Sequence, residues 1–109
     1  MLPLLLLTAC DFKPPTAQFD EQFGDQHFKT TISLVELHKV RNGEYPAELS
    51  ELEYTGQWDA MALQSVEYER LDKGYRLDVV RGWVAEPDLA YPEGFYSGLG
   101  LVESNVGRE

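Results

Sequence analysis

Few residues in this 109-residue chain have a type and spacing suited to chemistry. His27 and His38 are eleven positions apart, which places them on nearly one face of a helix but about 16 Å apart along its axis. That separation excludes a shared metal site, and neither histidine has a carboxylate at the spacing of a helical zinc motif. His38 reads as a core or boundary residue. None of Ser33, Ser50, Ser65, Ser97 and Ser104 lies in a nucleophile-elbow pattern, and no Ser-His-Asp set is suggested. Glu44, Glu48, Glu51 and Glu53 form an acidic cluster, which reads as a solvated face before it reads as a carboxylate pair or a calcium site. Tyr91, Phe95 and Tyr96, set among Gly94, Gly98 and Gly100, form an aromatic-glycine tail. Such a tail either packs on a core or offers a surface to a protein or glycan. The expectation is a non-enzymatic protein with no cofactor and no metal. Tyr91, Phe95, Tyr96 and Ile32 are its candidate partner-binding residues.

The remaining reactive side chain is Cys10, the only cysteine, at the end of MLPLLLLTAC. Leu2 and Leu4 to Leu7 make an apolar run far shorter than the roughly 20 residues a spanning helix needs. Leu7-Thr8-Ala9-Cys10 resembles the bacterial lipoprotein signal, in which small residues precede a cysteine that is lipidated and becomes the mature N-terminus. The resemblance implies a signal peptide over residues 1–9 and lipidation of Cys10. A departure is the absence of Lys or Arg before the leucines. With Cys10 lipidated, the chain has no further thiol and no internal disulfide. Asp11 resembles the enterobacterial signal for retention in the inner membrane. Pro14-Pro15 favours an extended tether, assigned to residues 10–16.

These residues must be positioned by a fold, and the fold is organised around Phe28 to Leu52, FKTTISLVELHKVRNGEYPAELSEL. Phe28, Ile32 and Val35 share one side of a helix. Lys39 and Arg41 suit the negative end of that helix, Asn42 and Gly43 can close it, and Pro46 prevents continuation. Leu49 and Leu52 are spaced to fold one more turn over its end. Upstream, Thr16 can cap a helix starting near Ala17, Phe19 and Phe23 lie four apart, and Gly24 either breaks the helix or is carried through it. A continuous or kinked helix over 17–42 is predicted. Its apolar face is wide, since Ile32 and Leu34 lie roughly 160° apart. Cover on two sides, by a sheet and a chain terminus, is expected, with partner docking on one side as the sharper alternative.

The segment LVELHKVRNGEYPAELSEL is similar to the stretch after the membrane helix in type II secretion pseudopilins and related type IV pilin-like proteins. There an apolar helix ends in an Asn-Gly-x-Tyr-Pro corner, followed by spaced leucines and a small antiparallel sheet. The matching residues are Leu34, Leu37, Val40, Asn42, Gly43, Tyr45, Pro46, Leu49 and Leu52. The resemblance implies an α+β fold, a long N-terminal helix packed on a small antiparallel sheet, over residues 17–109. Some major pseudopilins hold calcium in a C-terminal loop. Here that loop would draw on Glu86, Asp88 and Glu93, without the dense oxygen pattern such a site wants. The long apolar helix through which pilins polymerise is not matched, so a monomer is expected.

Glu53 to Gln64 reads as a connector, and Ser65 to Val80 as a hairpin. Val66, Tyr68, Tyr75, Leu77 and Val79 alternate with Glu67, Glu69, Arg76 and Asp78 about a turn at Asp72-Lys73-Gly74. A third strand is predicted from Gly82-Trp83-Val84 or from the tail near Leu99 to Val102. Pro87, Pro92 and the tail glycines argue against helix beyond Glu86. The net charge of −10 argues against nucleic acid and against electrostatic binding to anionic headgroups. The function expected is therefore a lipid-anchored, periplasm-facing envelope lipoprotein that binds another envelope or secretion-system protein. The alternative is an immunity or inhibitor lipoprotein that neutralises a toxin or enzyme.

Overall fold

The computed structural model describes residues 15–53 and 56–109. The lipidation site Cys10, Asp11 and most of the tether lie outside the described residues. The dominant element is α1 (Pro15–Asn42), 28 residues and so about 42 Å long. It opens on a proline, whose missing N–H costs nothing at the first helical position. The helix thus starts two residues inside the expected tether, and Thr16 belongs to its first turn instead of capping it. No described helix is long and apolar enough to cross a membrane.

The buried face of α1 is one continuous, wide stripe. Asp20, Gly24, His27, Phe28, Thr31, Ile32 and Val35 recur three and four residues apart and are all buried. The expected cover by a sheet and by the C-terminal tail is present, since Tyr75, Leu77 and Val79 pack with Phe28, Ile32 and Val35 and the tail residues Tyr91 and Phe95 stack on Phe28. Leu34 is half-buried against the same core, while Leu37 and Val40 are 40% and 79% exposed. The helix passes unbroken through Gly24 because the Pro87 ring lies there, where a Cβ would come within 2.5 Å of Pro87 Cγ.

The stop is as the sequence predicts. Gly43, at φ 85°, donates its N–H to Lys39 O at 2.8 Å, and Asn42 Nδ2 donates to His38 O at 3.1 Å. Pro46 is buried, and a 3-10 turn over Leu49–Glu51 carries Leu52 into the core. The supposed connector then holds a helix the sequence reading missed, α2 (Gln57–Gln64), which packs on α1.

β1 (Val66–Arg70) and β2 (Tyr75–Val79) form the predicted antiparallel hairpin, with Tyr68 opposite Leu77 and Val66 opposite Val79. Tyr75, Leu77 and Val79 are fully buried against Phe28, Ile32 and Val35. On the outer face Arg76 pairs with Glu69 at 3.2 Å, as the alternation implied. The tail supplies β3 (Ala90–Tyr91), a one-turn helix α3 (Glu93–Tyr96), β4 (Leu101–Glu103) and β5 (Gly107–Arg108). The third strand comes from the tail and not from Trp83. It pairs with β2 in parallel, giving the order β1-β2-β4, and β3 pairs with β5 in parallel. The fold is α+β as expected, but its sheet is mixed instead of wholly antiparallel. The reason is the long return over 80–100, which provides the crossover a parallel strand requires.

A polar junction ties these layers together. Glu36 on α1 accepts the Tyr75 hydroxyl at 2.9 Å, the Tyr45 hydroxyl at 3.1 Å and the Gly100 N–H at 2.9 Å. One carboxylate thus joins the helix, the Tyr-Pro corner, the hairpin and the entry to β4. Burial, with the Glu36 charge beside it, pushes the Tyr75 hydroxyl far above its ordinary pKa. Tyr68, whose hydroxyl donates to Pro46 O at 2.6 Å, is pushed up to about 12, chiefly by burial.

Candidate protein-docking surface

Asp20 lies on the buried stripe of α1 at 4% exposure. A buried carboxylate must be hydrogen-bonded, and this one is. Its Oδ1 accepts the backbone N–H groups of Trp83 at 2.8 Å, Val84 at 2.7 Å and Ala85 at 2.9 Å. The Ala85 and Val84 N–H groups hold its carboxyl below the usual carboxylate range, against the opposing cost of burial. The loop is closed on itself where Gly82 N–H meets Ala85 O at 2.8 Å, and it is pinned again where Pro87 seats on Gly24. Residues 82–87 are therefore fixed to the first half of α1 at two points.

The consequence is a ridge of aromatic side chains standing in solvent. Trp83 stacks on Phe23 with ring centroids 4.9 Å apart and lies 6.4 Å from Phe19. Trp58, from α2, reaches the other side of Phe23 at 5.7 Å. Phe19, Trp58 and Trp83 are 50%, 44% and 51% exposed. Val84, next to Trp83 in the loop, and Met61, one turn beyond Trp58 on α2, are exposed as well. A concentration of aromatic groups held rigidly in water is the signature of a contact surface.

Beneath the ridge lies His27, 1% exposed, between Phe23 at 6.3 Å and Trp58 at 6.1 Å. Its Nδ1 is buried without a hydrogen-bond partner, as is Thr31 Oγ1 one turn on. Burial lowers the His27 pKa, the Gly82 backbone partly opposes that, and the Arg81 charge adds to it. The ring is held neutral, as a packing element of the ridge.

The residues singled out by the sequence are placed otherwise. Ile32 is 6% exposed and belongs to the core, which corrects its assignment to a partner surface. Its apolar character serves helix-to-sheet packing. Tyr91 and Phe95 are half-buried and stack on Phe28 at 5.7 and 6.1 Å; Tyr96 is 6% exposed. Tyr91 donates its hydroxyl to Asp25, and Tyr96 donates to Gly107 O at 3.1 Å beneath the Arg108 guanidinium. The aromatic tail is thus turned inward and closes the core over Phe28. His38 is a boundary residue, with Nδ1 3.0 Å from Glu44 O and Nε2 3.8 Å from Glu51.

The acidic cluster stays at the surface. Glu48 accepts the Ser50 hydroxyl, Glu51 accepts Ala47 N–H, and Glu53 lies 3.9 Å from Arg41. In the tail, Glu86 accepts from Asn105 at 2.9 Å and Glu93 pairs with Arg108 at 2.7 Å, so these two of the acids considered for calcium are engaged by different partners. Among the described residues no three His, Cys, Asp or Glu side chains are grouped to hold a metal.

The ridge itself was missed. Phe19, Phe23 and His27 at successive four-residue steps, together with the only two tryptophans in the chain, were the available signal. No family model, no curated protein and no solved structure matches the chain.

Proposed function

We propose that this chain is a non-enzymatic, lipid-anchored adaptor that binds another protein of the bacterial envelope. The observation that carries the proposal is the rigid aromatic ridge of Phe19, Phe23, Trp58 and Trp83. Its exposed rings are clamped to the first half of α1 through Asp20. Preformed aromatic anchors bind with little ordering cost, which is how small recognition domains gain affinity. The anchor is Cys10 in its lipoprotein-like context, and Asp11 favours the inner membrane. The helix, the Tyr-Pro corner and the hairpin support reading the globular part as pilin-like. A second reading, an immunity or inhibitor lipoprotein, is favoured specifically by the net charge of −10, which suits a basic toxin.

Photocrosslinking in native envelopes tests the docking. A photoreactive residue at position 58 or 83 is expected to capture one defined protein, and the same residue at position 102 is not. Equal, diffuse labelling from all three positions would reject the ridge as a docking surface. Anchoring is tested separately: Cys10→Ser is expected to move the protein from membranes to the soluble periplasmic fraction with its fold intact.

A further inference from the structure

The ridge is bordered by a second feature that narrows its partner. Between the first turns of α1 and the clamped loop lies a groove of about 260 Å³, lined by Ala17, Asp20, Glu21, Glu86, Pro87 and Asp88 among others. Its floor is apolar, Ala17 and Pro87, and its charged lining is entirely acidic. Asp20 is already engaged by three backbone N–H groups, Glu86 by Asn105 and Glu21 by an interaction of its own, but their negative charges remain. Arg81 is the only cation in the loop from Val80 to Asp88, and it lies on the His27 side. The groove begins where the ridge ends, since Val84 and Ala85 follow Trp83 directly. Apolar anchors thus stand beside a slot whose charged lining is acidic.

We infer that the ridge and groove together receive a basic amphipathic segment of a partner protein. Its apolar side chains would lie on Phe19, Trp58, Trp83 and Val84, and its Lys or Arg side chains would enter the groove beside Glu21, Glu86 and Asp88. Charge complementarity selects this occupant. A second copy of the chain would bring another net charge of −10 to the same place, and an anionic bilayer would be repelled by it. Backbone augmentation at this loop is closed off as well, because the N–H groups of Trp83, Val84 and Ala85 are all spent on Asp20. What the surface leaves available is side-chain docking, the mode in which an amphipathic helix lays its apolar face in a groove. The inference deepens the proposed function and rests on it.

The test uses the full chain and three probes. The first is a synthetic amphipathic helix of about 18 residues with a Leu/Trp face flanked by lysines. The second is the same helix with glutamates for the lysines. The third is a set of phosphatidylcholine vesicles with and without phosphatidylglycerol. Binding is read by backbone amide NMR shifts. The Lys helix is expected to bind at least about tenfold tighter than the Glu helix at low salt, the preference shrinking as salt rises. Shifts should be confined to residues 16–23, 58–61 and 80–88. Glu21→Gln with Asp88→Asn should remove most of the charge preference, and Trp83→Ser should weaken both helices. Should Trp83→Ser disturb the loop, Val84→Ser, at a 60% exposed position, serves in its place.

Equal affinity for the two helices, or binding of neither, overturns the basic-segment inference. If photocrosslinks at positions 58 and 83 still form under those results, the adaptor reading stands and only the partner class falls. Ridge shifts caused by vesicles, without either helix, would assign the surface to lipid and overturn the inference.

Discussion

Gly24 is where the structure and a general rule of helix stability give opposite answers. A glycine inside a long helix is ordinarily a weak point, and replacing it with alanine gains about 1 kcal/mol. In this protein a Cβ at position 24 would sit 2.5 Å from Pro87 Cγ and 2.7 Å from Pro87 Cβ, with Leu89 Cδ1 at 3.4 Å. The Leu89 contact is ordinary, but the other two involve a ring that cannot rotate away. Forcing one extra methyl into packed surroundings costs about 1–3 kcal/mol, and a clash on two ring atoms belongs at the upper end. Setting the propensity gain against it leaves Gly24→Ala destabilised by about 1–2 kcal/mol. Near the melting temperature of a domain this size, each kcal/mol lowers Tm by roughly 4–8 °C. The assay is thermal unfolding followed by circular dichroism at 222 nm and by tryptophan fluorescence, which reports on Trp58 and Trp83. Placing the same substitution in a Pro87→Gly background should cost at least about 1 kcal/mol less, because the two sites are in contact. An unchanged or raised Tm for Gly24→Ala would refute the clamp, and with it the rigidity of the ridge.

Three further substitutions probe other parts of the structure. His27→Phe removes the unpartnered buried Nδ1 but also the ring's hydrogen bond with the Gly82 backbone, so stability at neutral pH should change by less than about 1 kcal/mol. His27 has a folded pKa below its ordinary 6.5, so the unfolded chain takes up the proton first as pH falls. Its contribution is therefore complete above pH 6.5 and is lost below it, and urea titrations should show a flatter acid limb for His27→Phe. Glu36→Gln weakens the acceptor shared by Tyr45, Tyr75 and Gly100, with an expected loss of about 1–2 kcal/mol by the same measurement. Gly43→Val meets no atom within 4 Å but is held at φ 85°, so its cost of about 1–2 kcal/mol is backbone strain. A neutral result there would mean that α1 does not end in a left-handed residue.

What was legible in the sequence was whatever local chemistry decides. The stop at Asn42-Gly43, the corner at Pro46 and the alternation from Val66 to Val79 each rest on neighbouring residues, and each is present in the fold. The makeup of the helix face was misread because its buried stripe is not purely apolar. Asp20, Gly24, His27 and Thr31 occupy four of its positions, while Leu37 and Val40, which look like core, face water. Periodicity of hydrophobic residues cannot find a stripe in which a capped carboxylate, a glycine under a proline ring and a neutral histidine stand in for leucines. The parallel pairing of β4 with β2 was invisible for a related reason. It depends on the path of the whole segment 80–100, which no local pattern encodes.

The ridge was illegible for the deepest reason, and that reason bears on how it works. Phe19 and Phe23 come from the start of α1, Trp58 from α2, and Trp83 from a loop sixty residues beyond Phe23 in the chain. What gathers them is Asp20, a carboxylate whose partners are backbone N–H groups and therefore leave no trace in residue types. Loops are normally the most mobile part of a domain. This one is held by three charge-assisted bonds at one end and by the seating of Pro87 on Gly24 at the other. Neither fixing is needed for the core of Phe28, Ile32, Val35 and the hairpin, which lies further along the helix. Both hold the aromatic rings of the ridge in one arrangement before any partner arrives. The first turns of α1 are thus committed less to the core than to presenting a surface, and that surface stands at the N-terminal end of the helix.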